Sequence, residues 1–302
     1  MDPRTLVGNV AKSDWCGLRV PDTLSLDTVM LLIDVDADAR TVKTFGDKNS
    51  MGNPIYLQLY TLRDDAEANL HATLDAVAEA GYAGVELAGL YDLTPAALKA
   101  EFDARGLKVI GAHSGYADLL ADVPAAIELC RVFETTRLTV PWIEGDWRDS
   151  IENMRALGAS LASAGQQLRD AGIQLCYHNH AFEFEMEDAT GTGYAAVLAG
   201  GDGYIAAELD LYWVAKAGKD PITELKRLSG NVPLVHIKDM SEDGDFRPIG
   251  DGIIDYKGSV LQAAIDAGAQ GFIVEQDQCS TFTPLESIAR SIAALRSWGF
   301  AS

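Results

Sequence analysis

Basic residues are scarce in this chain: 24 lysines and arginines face 45 aspartates and glutamates, a formal net charge of -21 over 302 residues. A phosphate backbone is held by a basic footprint, so this balance argues against nucleic acid as a partner and disfavours anionic membranes. Long apolar runs are also missing. No stretch reaches the roughly 18 apolar residues of a membrane span, and no basic region followed by an apolar core marks a secretory leader. The four cysteines (Cys16, Cys130, Cys176, Cys279) lie far apart without a CxxC pair. They read as reduced thiols used for packing, and the expectation is a soluble, cytoplasmic protein.

What is present is a regular alternation. Hydrophobic residues make up 48% of the chain, enough to fill a large core. From residue 54 onward short apolar runs alternate with segments of helical periodicity. The strands are expected at 55–60, 85–87, 107–112, 137–140, 173–178, 204–210, 232–236 and 272–275. Helices are expected at 66–80, 94–105, 123–133, 149–171, 195–198, 221–228, 259–267 and 284–298. Their boundaries are punctuated by Thr94-Pro95 as N-cap and first-turn proline and by Gly81, Gly106 and Gly172 as stops. Eight strands in about 250 residues, without a linker, fit a single-domain α/β protein, the (β/α)8 TIM barrel, over residues 51–302. A doubly wound sheet would need a glycine-rich phosphate turn after the first strand, where Gln58-Leu59-Tyr60-Thr61 stands instead. Residues 1–50 do not share the pattern, although 24–35 is apolar enough for a strand or hairpin arm. They read as an upstream leader, with Met51 the natural beginning; the alternative is an extension packed on the outside.

The densest chemistry lies in residues 172–184, GIQLCYHNHAFEF. On an extended strand His178 and His180 point the same way, while Tyr177 and Asn179 point the other way. Alone, His-x-His is a weak signal. Three later runs also end on metal-capable side chains, at Asp210, His236 and Glu275. In order, the strand ends carry Gln58, Glu86, His113, Trp142, His178 with His180, Asp210, His236 with Lys238, and Glu275 with Asp277. Active sites of such barrels form at these ends. Gln58 and Glu86 either touch a ligand or cap loops; His113 either faces the site or bonds a loop carbonyl; Trp142 is a wall. Charge at buried strand ends needs a counter-charge, and one lysine cannot neutralise Asp210, Glu275, Asp239, Asp277 and Glu183 together. A divalent cation bound by mixed histidine and carboxylate donors answers that need. This donor set suits manganese first, with cobalt, zinc, iron or magnesium as alternatives, rather than calcium.

YHNHAFEF, LDLYW, HIKDM followed by GDG, and VEQD together resemble the sugar phosphate isomerase/epimerase superfamily, the xylose isomerase-like TIM barrels, over about residues 54–300. The superfamily includes inosose isomerases and dehydratases, ketose 3-epimerases and enzymes of 3-keto sugars. The resemblance implies one divalent ion held by Glu, Asp, His and Glu from strands five to eight, and it implies that oligomers are common. Three of these ligands map onto Asp210, His236 and Glu275. Where many members carry Glu on strand five, this chain has His178. The ketose 3-epimerases use two opposed metal-bound glutamates, so that substitution argues against their symmetric mechanism here.

The expected chemistry is proton abstraction beside a metal-polarised carbonyl of a keto-sugar or inosose, through an enediolate. An isomerase or epimerase is the first reading. A dehydratase using the same site is the alternative, and the double-histidine strand five resembles that branch somewhat more. Glu275 is expected as base, Lys238 as helper on the developing oxyanion, and His180 as acid or substrate contact. Glu183 is a further candidate for proton transfer or substrate contact. Arg247, in the loop 245–255, either contacts substrate hydroxyls or belongs to an ordinary turn. A nuclease of the same barrel would need further metal ligands and a basic face, and the charge argues against it. A sugar-binding barrel without catalysis is disfavoured by the joint presence of Asp210, His236, Lys238 and Glu275.

Overall fold

A computed structural model describes residues 52–302; the expectations for residues 1–50 and for Met51 lie outside the described residues. Eight parallel strands close into a barrel: β1 (Ile55–Gln58), β2 (Gly84–Leu87), β3 (Lys108–His113), β4 (Arg137–Val140), β5 (Gln174–His178), β6 (Ile205–Asp210), β7 (Leu234–Ile237) and β8 (Gly271–Val274). Each pairs with its neighbour in chain order, and β8 closes on β1 with Ile55 beside Phe272. The single-domain (β/α)8 TIM barrel is therefore present as expected. Two boundaries differ usefully. β1 ends at Gln58 because its side chain accepts from the Tyr60 N–H and bends the chain into a helical turn. β3 runs on to His113, which brings that imidazole onto a strand end.

The two-residue alternation of each strand sorts the side chains into two cores. Leu57, Val85, Leu175, Tyr177, Leu209 and Val235 face outward into the large core beneath the helices. Tyr56, Cys176, Ala206, Leu234 and Ile273 form a separate apolar cluster that plugs the floor of the barrel. Cys176 is thus a packing residue, and burial pushes its thiol pKa well above the usual range. The next inward position on these strands is polar: Gln58, His178, Glu208, His236 and Glu275, joined by Glu86 on β2. Alternation alone therefore stacks a polar layer on an apolar one.

The helices that carry the site strands are held by unusually close contacts. The helix Ile151–Asp170, capped by Ser150, leads into β5, and the helix Gly193–Gly200, capped by Thr192, leads into β6. They approach so closely that a Cβ on Gly158 would meet the Val197 carbonyl oxygen at 2.0 Å, and one on Gly200 would meet that of Arg155 at 2.0 Å. Gly158→Ala must push the helices apart, and we expect a loss of about 1–3 kcal/mol in urea unfolding. Unchanged stability would contradict this packing.

Candidate active site at the carboxyl end of the barrel

Strand register assembles the site. β5 and β6 place His178 beside Glu208, β6 and β7 place Asp210 beside His236, and β1 and β2 place Gln58 beside Glu86. Asn179, facing away from the lumen, clamps two of these ends: its Oδ1 accepts from the Asp210 N–H at 2.9 Å and its Nδ2 donates to the Asp210 carbonyl at 3.2 Å. Asp210 is itself fixed by capping the next helix, its Oδ1 accepting from the Trp213 N–H at 2.9 Å. That leaves Asp210 Oδ2 directed into the site.

Four buried groups converge there, His178, Asp210, His236 and Glu275, with one donor atom from each lying within 4.8 Å of all the others. Ligand atoms about 2.0–2.2 Å from one ion are separated by at most roughly 4.2 Å, so small side-chain shifts close this set around a divalent cation. Buried polar atoms without a hydrogen bond gather at the same place: His180 Nδ1, Trp213 Nε1 and, lower down, Glu86 Oε1, while Asp210 Oδ2 and His178 Nδ1 have only ion-pair neighbours, Lys238 Nζ at 2.9 Å and Glu208 Oε1 at 3.2 Å. The donor chemistry and these orphaned atoms fit a metal ion.

Lys238, almost fully buried, stands among the carboxylates, with Nζ 2.9 Å from Asp210, 2.7 Å from Glu275 and 2.6 Å from Asp277. Burial favours its neutral form, but Asp210, Asp277 and Glu275 outweigh it and hold the ammonium well above its usual pKa. Glu275 is likewise opposed by burial yet held ionised by Lys238 and His236, the latter with Nδ1 at 2.8 Å. Lys238 has fewer charges to meet than the five acidic side chains near the strand ends imply. Asp239 is satisfied by the N–H groups of Met240, Gly250, Gly252 and Ile254, which pin the loop carrying Arg247. Glu183 accepts from the Tyr177 hydroxyl at 3.0 Å and from the His180 N–H at 2.8 Å.

Beneath the four donors lies a second layer that the sequence reading did not isolate. Glu208 Oε1 is 2.9 Å from His113 Nε2 and 3.2 Å from both His178 Nδ1 and His236 Nε2, while Thr139 donates to its Oε2 at 2.7 Å. Glu86 Oε2 lies 2.7 Å from His236 Nε2 and accepts from Gln58 Nε2 at 2.8 Å. Burial resists charge here, but the neighbouring carboxylates prevail and push His113 up to about 10; His236 rises for the same reason. Burial is likewise overcome at Glu208, which His236 and His113 hold well below the usual range.

The open cavity above has a volume of about 630 Å³. His113, Trp142, His178, His180, Lys238 and Glu275 reach its wall. Asp210 and His236 are fully buried below it, as are Gln58 and Glu86. Trp142, half exposed, packs edge-on against His180 with ring centres 4.7 Å apart. Burial, followed by His178 and Lys238, drives His180 down to about 2, so its ring is neutral. Glu183 is fully buried with its carboxylate engaged as above, and Arg247 donates to the Phe246 carbonyl at 2.8 Å; neither reaches the cavity wall. Glu208 had a signal in the sequence: it precedes Asp210 by two residues on a strand, hence shares its face.

The pKa of Glu183 is raised by burial to about 8. A carboxyl that binds its proton more tightly when folded contributes stability that is complete below the unfolded pKa and is lost as pH rises through the folded one. Stability should therefore fall between about pH 4.5 and 8, by up to roughly 1.4 kcal/mol per pH unit, and Glu183→Gln should flatten that slope in urea unfolding. Parallel pH profiles for the two proteins would contradict the assignment.

Comparison with known proteins agrees with this architecture. The family model described as xylose isomerase-like TIM barrel matches residues 74–298. An inosose dehydratase of Lacticaseibacillus casei is 23% identical over 254 residues, spanning 70% of this chain and 84% of that protein. The crystal structure of a sugar phosphate isomerase/epimerase from Parabacteroides distasonis superposes with a TM-score of 0.73 at 22% identity, covering 84% of this chain and 97% of that one. The IOLI protein, solved with a bound zinc atom, superposes with a TM-score of 0.65 at 16% identity over 82% and 98% of the two chains.

Proposed function

The chain belongs to the xylose isomerase-like TIM barrel family, and on that footing we propose that it is a divalent-metal-dependent enzyme that removes a proton beside the carbonyl of a keto-sugar or inosose. The observation that carries this reading is the convergence of His178, Asp210, His236 and Glu275 under an open cavity, with Lys238 among them. A relative that is an inosose dehydratase and a structural neighbour that binds zinc support it. Manganese is the first candidate for the ion, with cobalt, zinc, iron and magnesium acceptable to the same donors. When bound, the ion supplies Lewis-acid polarisation of the substrate carbonyl.

The side chains supply the rest. Glu275, ionised and at the cavity wall, takes the proton from the carbon beside the carbonyl, and the C–H electron pair becomes the double bond of an enediolate. The Lys238 ammonium, 2.7 Å from that carboxylate, stabilises the oxyanion. Neutral His180 also lines the cavity, and its N–H hydrogen-bonds a substrate hydroxyl. Trp142 and Trp213 flank His180 and give the sugar an apolar wall.

The second step separates the two outcomes expected from the sequence. Epimerisation across both faces needs a second acid/base group opposite Glu275, yet the end of β5 offers His178 and His180, with the Glu183 carboxylate turned into the core. One base and a neutral hydrogen-bond donor suit elimination: the β-hydroxyl departs as water with the proton that Glu275 gained. The asymmetry favours a dehydratase, and isomerisation, in which Glu275 returns the proton to the adjacent carbon, is the second reading.

Incubation with a panel of inososes and unphosphorylated keto-sugars, followed by mass spectrometry, should reveal a product lighter by one water. A product of unchanged mass supports the isomerase. Glu275→Gln, assayed at saturating metal, should lower turnover by about a hundredfold or more. Activity within about threefold of wild type would remove Glu275 from the role of base, since losing a general base typically costs far more.

A further inference from the structure

The carboxylate layer beneath the four donors has no part in the chemistry above, yet its two members, Glu86 and Glu208, are both fully enclosed. Each histidine of the upper set has two ring nitrogens, and the structure divides them between the layers. His178 turns Nε2 toward Asp210 Oδ2, 3.7 Å away, and Nδ1 toward Glu208 Oε1 at 3.2 Å. His236 turns Nδ1 toward Glu275 at 2.8 Å and Nε2 toward Glu208 at 3.2 Å and Glu86 at 2.7 Å. One oxygen, Glu208 Oε1, thus faces the lower nitrogen of both rings.

We infer that Glu208 is a positioning residue that holds the protons of His178 and His236 on their lower nitrogens, so that both rings offer their upper nitrogens as metal ligands. The inference rests on the metal-binding reading of His178, Asp210, His236 and Glu275. The geometry supports the role in three ways. An imidazole that ligates an ion carries its proton on one nitrogen only, and an acceptor at one end selects which nitrogen gives its lone pair. Glu208 is fixed from outside the pair, by the Thr139 hydroxyl at 2.7 Å and by His113 Nε2 at 2.9 Å, so it acts as a stop rather than a follower. It also shares the inward face of β6 with Asp210, so one strand delivers both a ligand and the group that orients two others. His236 has Glu86 as a second acceptor, whereas among the described residues Glu208 is the one carboxylate within ion-pair distance of His178 Nδ1.

The lower set is also compact enough to be a cation site itself, since donor atoms of His113, His178, Glu208 and His236 lie within 4.8 Å of one another. The full chain, stripped of metal and checked for fold by circular dichroism, separates the roles when titrated with Mn²⁺ against a chelator and with Co²⁺ by its visible spectrum. Wild type should bind one equivalent. Glu208→Gln should bind the same number about 10–100-fold more weakly, with an altered cobalt spectrum. Glu208→Asp keeps the charge but withdraws the oxygen from both rings, so it should also weaken binding; it carries the test alone if the glutamine variant does not fold. Wild-type affinity and spectrum in either folded variant would overturn the inference while leaving the four-donor site intact. Two equivalents in wild type, with only the second lost in Glu208→Gln, would overturn it by making Glu208 a ligand. A wild-type chain that binds no ion removes the metal reading itself, and this inference with it.

Discussion

Charge balance inside a barrel lumen is the constraint on which the rest of the structure depends. Four fully or nearly fully buried carboxylates, Glu86, Glu208, Asp210 and Glu275, share that space with Lys238 and the imidazoles of His113, His178 and His236. Buried charge persists only when paired and hydrogen-bonded, so each of these groups fixes its neighbours. The balance is met in two tiers. The lower tier pairs Glu86 and Glu208 with histidines, and the upper tier sets Asp210 and Glu275 against Lys238. The proposed divalent ion would sit in the upper tier, where Asp210 Oδ2 faces the Lys238 ammonium and Glu275 meets the cavity.

Much of this was legible in the sequence because barrel strands alternate with a period of two. Cys176 and His178 share a face, as do Ala206, Glu208 and Asp210, and Leu234 with His236, so an inward row that begins apolar and ends polar is written directly in the order of residues. The family resemblance was carried by the same strand ends. Depth was not legible. Gln58 and Glu86 stand at strand ends and read as mouth residues, yet the stagger of the closed barrel leaves them beneath the site, with Glu86 Oε2 against His236. Stagger is a property of all eight registers together, and no single strand announces it.

Two other differences have local causes. Glu208 does not stand out in the sequence because its alanine and leucine neighbours dominate the segment, and because Asp210 ends the strand. Glu183 reads in the sequence as a candidate for proton transfer or substrate contact. The short helix Phe182–Glu185 instead turns its carboxylate back onto Tyr177 and the His180 backbone. That contact anchors the loop presenting His180, a structural role served by the acidic side chain without its reaching the cavity. Asn179 and Asp239 act in the same way, one clamping Asp210 to the end of β5 and the other gathering the backbone of the loop after β7.

The central claim is that the upper tier is a metal centre and not a self-sufficient charge network. Elemental mass spectrometry of the purified wild-type chain beside His178→Ala and Asp210→Ala tests it most directly. The account predicts about one equivalent of manganese, cobalt, zinc or iron per wild-type chain, lost from both variants, as expected when one of four ligands is removed. A wild-type protein that is free of metal and takes up none on reconstitution would contradict it, and would leave Lys238 and the histidines as the sole counter-charges of the barrel.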